Sequence, residues 1–450
     1  MYLRAILILI ITLTYSVNAL AEKKTGIETA FVGYQFADLR SGNTLMEKNA
    51  NKFFIPASTQ KIFTALAAEK ILGLDYVITN DISYTGKIQG GVLDGDVIIT
   101  FRGNPFFTKQ DINDMAITAR AYGINQINGR ILIEDSYLDH IKYPHGWSIE
   151  DKHSGFMSPI LSISINKNSE HVITKKVEGN AVLKYDNRGI SIDSQVDFGA
   201  CELTDLELYG DDNNKYKLFG CQKEGEELPN LRIAIQNPRN YAIKIIDAAF
   251  RQSDIKHKGI ILATNKTKTT VIKQYSSPKL KRMLKDVMIN SNNHVAEIIT
   301  KTMGKHTHQS GSWKAGTHAI KKAIIEAGLN DCTHYFYDGS GLSKKDLVSP
   351  ACFVKLVTLL DRQNSHIIKL MPRANQGTLN GRFSSLPGGY NVRAKTGTLN
   401  GVSALAGYIE KNGERIVAFA IITNNFPHNI EKEVKEWEEE LILQMINRLE

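Results

Sequence analysis

The hydrophobic pattern changes period several times along the chain. Residues 28–38, "ETAFVGYQFAD", are rich in the β-branched and aromatic residues of a strand, and "LRSGN" reads as the turn into a short second strand. After Pro56 the spacing becomes helical. Ile62, Ala65, Leu66 and Leu72 form an apolar stripe that Gly73 closes. From Asp81 to Thr174 the pattern is α+β: "GVLDGDVIITFRGNPFF" mixes strand residues with Gly and Asp turns, "DINDMAITARAYGI" is helical, and "GRILIED" returns to a strand. Short strands broken by Asn, Asp and Gly run from about Val172 to Leu231, which predicts a small β-rich module.

"NYAIKIIDAAFRQSDI" is helical again. Leu280, Met283, Leu284, Val287 and Met288 then make a helical stripe, which Ser291-Asn292-Asn293 interrupts before a second helix to about Gly304. Further on, "SALAGYI" and "RIVAFAIIT" flank "EKNGE", a hairpin with an Asn-Gly turn. In the final segment Val434, Trp437, Leu441 and Met445 share one helical face, and this helix is expected to pack on a sheet.

Composition narrows the class. With 450 residues, 42% of them hydrophobic and 23% charged, the chain is long enough for two or three globular domains. A net charge of +8 suits an acidic partner. No dense Arg/Lys cluster interleaved with aromatics is present, so no nucleic-acid partner is expected, whereas peripheral contact with an anionic membrane or wall polymer fits. Residues 1–21 have the anatomy of a secretory signal peptide: Arg4, an apolar run from Ala5 to about Leu13, and Ala19-Leu20-Ala21 before a cut ahead of Glu22. That run is shorter than the ~20 residues of a spanning helix. The protein is therefore expected to be exported, into an oxidising compartment. Cys201 and Cys221 flank "DDNNK" and could staple it; Cys332 and Cys352 either pair or serve as small core residues. Without C-x-x-C or H-E-x-x-H, neither a metal site nor a cofactor is expected.

Three short motifs carry chemistry. Ser58 and Lys61 lie three residues apart where a helix begins, so the amine can reach the hydroxyl. A serine becomes a nucleophile when a base takes its proton, and a lysine serves as that base where burial or nearby cations favour its neutral form. Ser291 and Asn293 sit at the polar break between two helices: a second hydroxyl can relay a proton, and an amide can hold a peptide carbonyl. In "VRAKTGTLNGVSALAGYI" the stretch from Val392 to Thr398 reads as a strand. There Lys395 can hold a carboxylate, Gly397 lets a substrate backbone lie against the strand edge, and the Thr398 N–H can complete an oxyanion hole with the Ser58 N–H. Ser340 in "YDGSGLS" lacks a G-x-S-x-G context and reads as part of a turn.

The ordered set S-x-x-K, S-x-N, K-T-G resembles that of the serine penicillin-recognising enzymes, the penicillin-binding proteins and serine β-lactamases. More than half the chain separates Ser58 from Ser291, far more than in small β-lactamases. A long two-module insertion there resembles the class C low-molecular-mass penicillin-binding proteins, the D-Ala-D-Ala carboxypeptidase/endopeptidase family typified by DacB. "GGVLDGDVIITFRGNPFF", "PHGWSIED" and "YDGSGLSKKDLVSP" look like that family too. One departure is Asn292, where relatives often have Asp.

The resemblance implies an α+β fold with an antiparallel sheet, helices on both faces, an all-helical subdomain and the insertion. It divides the chain into a catalytic domain (22–82 and 268–450), an inserted α+β domain (83–171 and 232–267) and a small β-rich domain (172–231). It further implies a periplasmic enzyme acting on peptidoglycan peptides that end in D-Ala-D-Ala or are cross-linked through D-Ala, with β-lactams as covalent inhibitors. Ser58, Lys61 and Ser291 would be catalytic; Asn293, Lys395, Thr396 and Thr398 would bind substrate; the Ser58 and Thr398 amides would form the oxyanion hole. A β-lactamase and a non-catalytic wall-binding protein are the alternatives, separable by β-lactam turnover and by sacculus binding without activity.

Overall fold

The computed structural model of the chain describes residues 27–450 apart from 178–179, 200, 225, 227–228, 265–267 and 333. The expected signal peptide, residues 1–21, lies outside the described residues. The chain divides into two compact units. The first holds residues up to Ile62, Leu329–Phe336 and Lys344–Glu450; the second holds Phe63–Gly328 and Tyr337–Ser343.

In the first unit a five-stranded sheet runs in the order Tyr390–Leu399, Val402–Lys411, Glu414–Asn424, Phe31–Asp38, Thr44–Lys48. Every neighbouring pair is antiparallel. The predicted Asn-Gly turn joins the second and third of these: Asn412 and Gly413 both take positive φ, +53° and +86°. Such a turn matches the right-handed twist of the strands it links. Alternation then sorts the sheet's side chains. Phe36, Leu405, Val417, Phe419 and Ile421 share a core with Leu441, Ile442, Met445 and Ile446 of the C-terminal helix Glu431–Leu449. That is the packing expected for this helix, with Val434 also buried. A buried ion pair fastens it: Glu438, with no exposed side-chain surface, takes a 3.0 Å contact from Arg382 and a 2.6 Å hydrogen bond from Ser403. Helix Pro350–Arg362 packs on the sheet as well, and a disulfide joins its Cys352 to Cys332.

In the second unit a mixed five-stranded sheet has the order Ile260–Leu262, Ile131–Glu134, Val97–Thr100, Thr79–Tyr84, Thr270–Ser276. It combines strands from either side of residues 83 and 267, because strand pairing joins segments far apart in sequence. Ile82, Val97, Ile99, Ile131 and Ile133 form its core face with helices Lys109–Ala121 and Pro238–Gln252. The predicted β-rich stretch supplies Ser191–Gly199, Asp205–Gly210 and Lys215–Lys223, and the Cys201–Cys221 disulfide staples it. Three helices follow: Leu280–Ile289, Asn293–His308 and Trp313–Glu326. The second runs a turn beyond the expected end at Gly304, to a left-handed C-cap at Gln309.

The Lys61–Leu72 helix departs from its expected stripe. Every residue from Lys61 to Ala68 is buried, so its first two turns are enclosed all round, as in a central helix.

Candidate active site

Within the first unit, several constraints converge on Ser58. Phe54 pairs with Val348 through two 3.0 Å backbone hydrogen bonds. The next residue is clamped by a side chain. The Ile55 N–H donates to Asn424 Oδ1 at 2.8 Å, and Asn424 Nδ2 donates to the Ile55 carbonyl at 3.2 Å. Asn424 ends the Glu414–Asn424 strand, and its side-chain amide engages both backbone groups of Ile55. Pro56 then restricts the chain, and the Thr59 hydroxyl donates to the Pro56 carbonyl at 2.6 Å. Ala57 is fully buried with φ +46°, a conformation costing a non-glycine residue ~1 kcal/mol or more. Ser58 follows in the short 3₁₀ turn Ala57–Gln60, which runs directly into the helix beginning at Lys61.

This geometry brings the first motif together. Lys61 Nζ donates to Ser58 Oγ at 2.6 Å. Lys61 is fully buried while Ser58 is half-buried, so the hydroxyl is reachable and the amine is shielded.

The third motif lies in the same unit, on the sheet's outermost strand. Lys395 is fully buried, and its amine donates to the Thr396 carbonyl at 2.8 Å. Burial first, and then the charge of Lys61, hold the Lys395 amine well below the ordinary lysine range. Two ammonium groups enclosed this close together repel, so the pair favours one neutral amine. Thr396 is half-buried and bonded through its hydroxyl to Thr378 Oγ1 at 2.7 Å; Thr398 is exposed.

Gly397 has a role beyond the expected one. A Cβ there would stand 2.7 Å from the Pro56 oxygen and 2.9 Å from the Ser58 nitrogen. The missing side chain lets the Ser58 segment lie directly on the strand.

Strand alternation orients the amides. Ala394 N–H donates to Pro372 O, and Ala374 N–H donates to Val392 O, both on the strand's outer edge. The N–H groups of Thr396 and Thr398, two and four residues on, point the same way. The Thr398 amide is thus turned to the strand's outer edge, away from the Val402–Lys411 strand.

Ser291 and Asn293 belong to the second unit. Ser291 has φ +56°, another positive value at a hydroxyl-bearing break. Asn292 caps the following helix, accepting from Val295 N at 3.1 Å, and Asn293 Nδ2 donates to the Phe156 carbonyl at 3.1 Å. Asp286 organises the loop: Asn290 and Asn292 donate to it at 2.8 and 2.9 Å, and Lys167 pairs with it at 3.2 Å. This accounts for Asn rather than Asp at 292, because an aspartate would set carboxylate against carboxylate.

In the same unit Ser340 is fully buried, and its backbone N–H donates to Glu297 at 2.7 Å. Glu297 also accepts from Trp313 and from Gly339 N. Burial, followed by the charge of Asp338, raises its carboxyl to about 7. The "YDGSGLS" segment is thus a structural loop on a buried acid.

Sequence reasoning did not find Ala57 or Asn424. A positive φ leaves no mark on an alanine. Asn424 is 369 residues from Ile55 and touches it only through strand pairing.

An antiparallel sheet carrying K-T-G on its edge strand, with S-x-x-K beside it, defines the penicillin-binding-protein type of serine enzyme. Comparison with solved structures agrees. Penicillin binding protein 4 (dacB) from Haemophilus influenzae superposes with a TM-score of 0.82 at 27% identity, over 91% of this chain and 93% of that one. The same protein complexed with a β-lactam matches with a TM-score of 0.76. Among sequences, D-alanyl-D-alanine carboxypeptidase DacB of Haemophilus influenzae is 28% identical over 414 residues, 89% of this chain and 86% of the relative. The D-alanyl-D-alanine carboxypeptidase of Actinomadura sp. (strain R39) is 25% identical, over 88% of this chain and 78% of its own. Residues 13–442 match the D-Ala-D-Ala carboxypeptidase 3 (S13) family as a whole, and the chain belongs to that family of peptidases.

Proposed function

We propose that the protein hydrolyses the bond between two D-alanines in peptidoglycan stem peptides, and D-Ala cross-links between them, through an acyl-enzyme on Ser58. The observation that carries this reading is the 2.6 Å hydrogen bond from a fully buried Lys61 to a half-buried Ser58. Lys61 in its neutral form takes the Ser58 proton as Oγ attacks the scissile carbonyl carbon. The oxyanion is received by the Ser58 and Thr398 amides. The C–N bond breaks, the leaving amine takes a proton, and D-Ala departs. Water then attacks the ester, and the Ser58 proton is restored. The substrate's terminal carboxylate would lie against the Thr396 and Thr398 hydroxyls, with Lys395 behind them. Ser291 as relay to the leaving amine and Asn293 as holder of the acyl chain's amide rest on the order of the three motifs along the chain.

The site so assigned would be acylated by β-lactams, and the enzyme would act in the periplasm after loss of residues 1–21. Among the described residues no helix is long and apolar enough to cross a membrane. Mass spectrometry after penicillin treatment tests the reading. An adduct is expected on Ser58, with Ser58→Ala losing both the adduct and D-Ala release. D-Ala release by the Ser58→Ala protein would overturn it.

A further inference from the structure

The mixed sheet of the second unit has two unlike faces. One is the apolar core already described. The other carries Asp81 and Ser83 from one strand, Ile98 and Thr100 from the next, and Glu134 from a third. A face merely open to water would leave these exposed, yet Ser83 and Ile98 are 2% and 1% exposed. They form the floor of a cleft of about 430 Å³, walled by Arg102, Ser136, Tyr137, Gln274 and Lys305.

The chemistry of the cleft narrows what fits it. Two carboxylates face two cations, so it has no net attraction for a polyanion or polycation. The charges already have partners. Arg102 pairs with Asp81, Glu134 accepts from Ser136 at 3.2 Å, and Lys305 donates to Gln309 O at 3.3 Å. The side chains of Ser83, Thr100 and Gln274 make no hydrogen bond among the described residues. Ser83 thus offers the cleft a hydroxyl that no described side chain or backbone group engages. Ile98 and the half-buried Tyr137 ring, with Lys305 Nζ 5.5 Å from its centroid, add a small apolar surface beside these hydroxyls and the amide. Neutral donors and acceptors around one aromatic ring suit a ligand with hydroxyl and acetamido groups on an apolar ring face.

We propose that this cleft binds a saccharide: the amino-sugar strand of the polymer whose peptides the enzyme cuts. The choice of an amino sugar rests on the function proposed above; the site itself does not involve Ser58.

Calorimetric titration of the intact protein with the tetramer of N-acetylglucosamine, which carries no peptide, tests this. Saturable binding is expected, weakened about tenfold when Ser83→Ala and Thr100→Val together remove two hydroxyls with little change in volume. Gln274→Ala, at an exposed position, should weaken binding by a few-fold and serves if the double variant does not fold. β-Lactam acylation should stay at the parent rate in all of them. No saturable binding to the parent, or equal affinity in every variant, would overturn the proposal. So would binding of a sugar-free zwitterionic peptide that the same substitutions abolish, since the cleft would then be a peptide site. Loss of saccharide binding with acylation intact counts against this site alone; absence of the Ser58 adduct counts against the catalytic reading.

Discussion

Gly397→Ala is the sharpest test of how Ser58 is positioned. The added methyl would begin 2.7 Å from the Pro56 oxygen and 2.9 Å from both the Ala57 Cβ and the Ser58 nitrogen. Ordinary contact begins at 3.4 Å, so the Ser58 segment must retreat by about 0.5–0.7 Å. It has little freedom to do so, being held by Val348, Asn424 and the Thr59 hydroxyl. A misplacement of about 1 Å at reacting atoms costs on the order of 10²-fold, so acylation should slow roughly 10- to 30-fold. Overpacking should also cost ~1–3 kcal/mol of stability. Stopped-flow measurement of acylation by a fluorescent penicillin reads the first effect, and thermal unfolding the second. Adding Ala57→Gly removes one colliding methyl and relaxes the positive φ, and should recover part of the rate. A folded Gly397→Ala protein acylated within about twofold of the parent would refute the argument, because the strand and the serine would then not be in rigid register.

Three further outcomes are expected. Asn424→Asp keeps an acceptor for the Ile55 N–H but sets an unprotonated oxygen against the Ile55 carbonyl; acylation should fall ~10–100-fold at neutral pH. The variant-to-parent rate ratio should rise toward pH ~4 as the new carboxyl regains a proton, and a flat ratio would remove the clamp from the account. Lys395→Met should abolish acylation yet raise the melting temperature at pH 7. The fold depresses the Lys395 pKa, so its charged form costs stability below the unfolded value of 10.5. The gap between variant and parent should narrow as pH approaches 10, and a less stable variant at pH 7 would contradict this. Glu297, raised to about 7 from an ordinary 4.5, contributes stability that is full below pH 4.5 and is lost as pH rises through 7. Glu297→Gln should flatten that dependence, read as hydrogen exchange at Gly339 and Ser340 between pH 5 and 8.

The local pattern accounted for much of this molecule. The first strand, the Asn-Gly hairpin, the stripe from Leu280 to Met288 and the apolar face of the last helix could all be read from periodicity, because each depends on neighbours a few residues away. Motif order singled out Ser58, Lys61 and Lys395 as candidates, and the structure places all three in one unit. Periodicity misjudged the helix at Lys61, reading a stripe where burial is complete, because Thr64 and Lys61 look polar until their enclosure is known. Only the tertiary structure set the environment of Ser58: the neutral bias of Lys395, the Asn424 clamp and the gap at Gly397. Each arises between segments hundreds of residues apart, where strand pairing and burial, not local spacing, decide which groups meet and which charges survive.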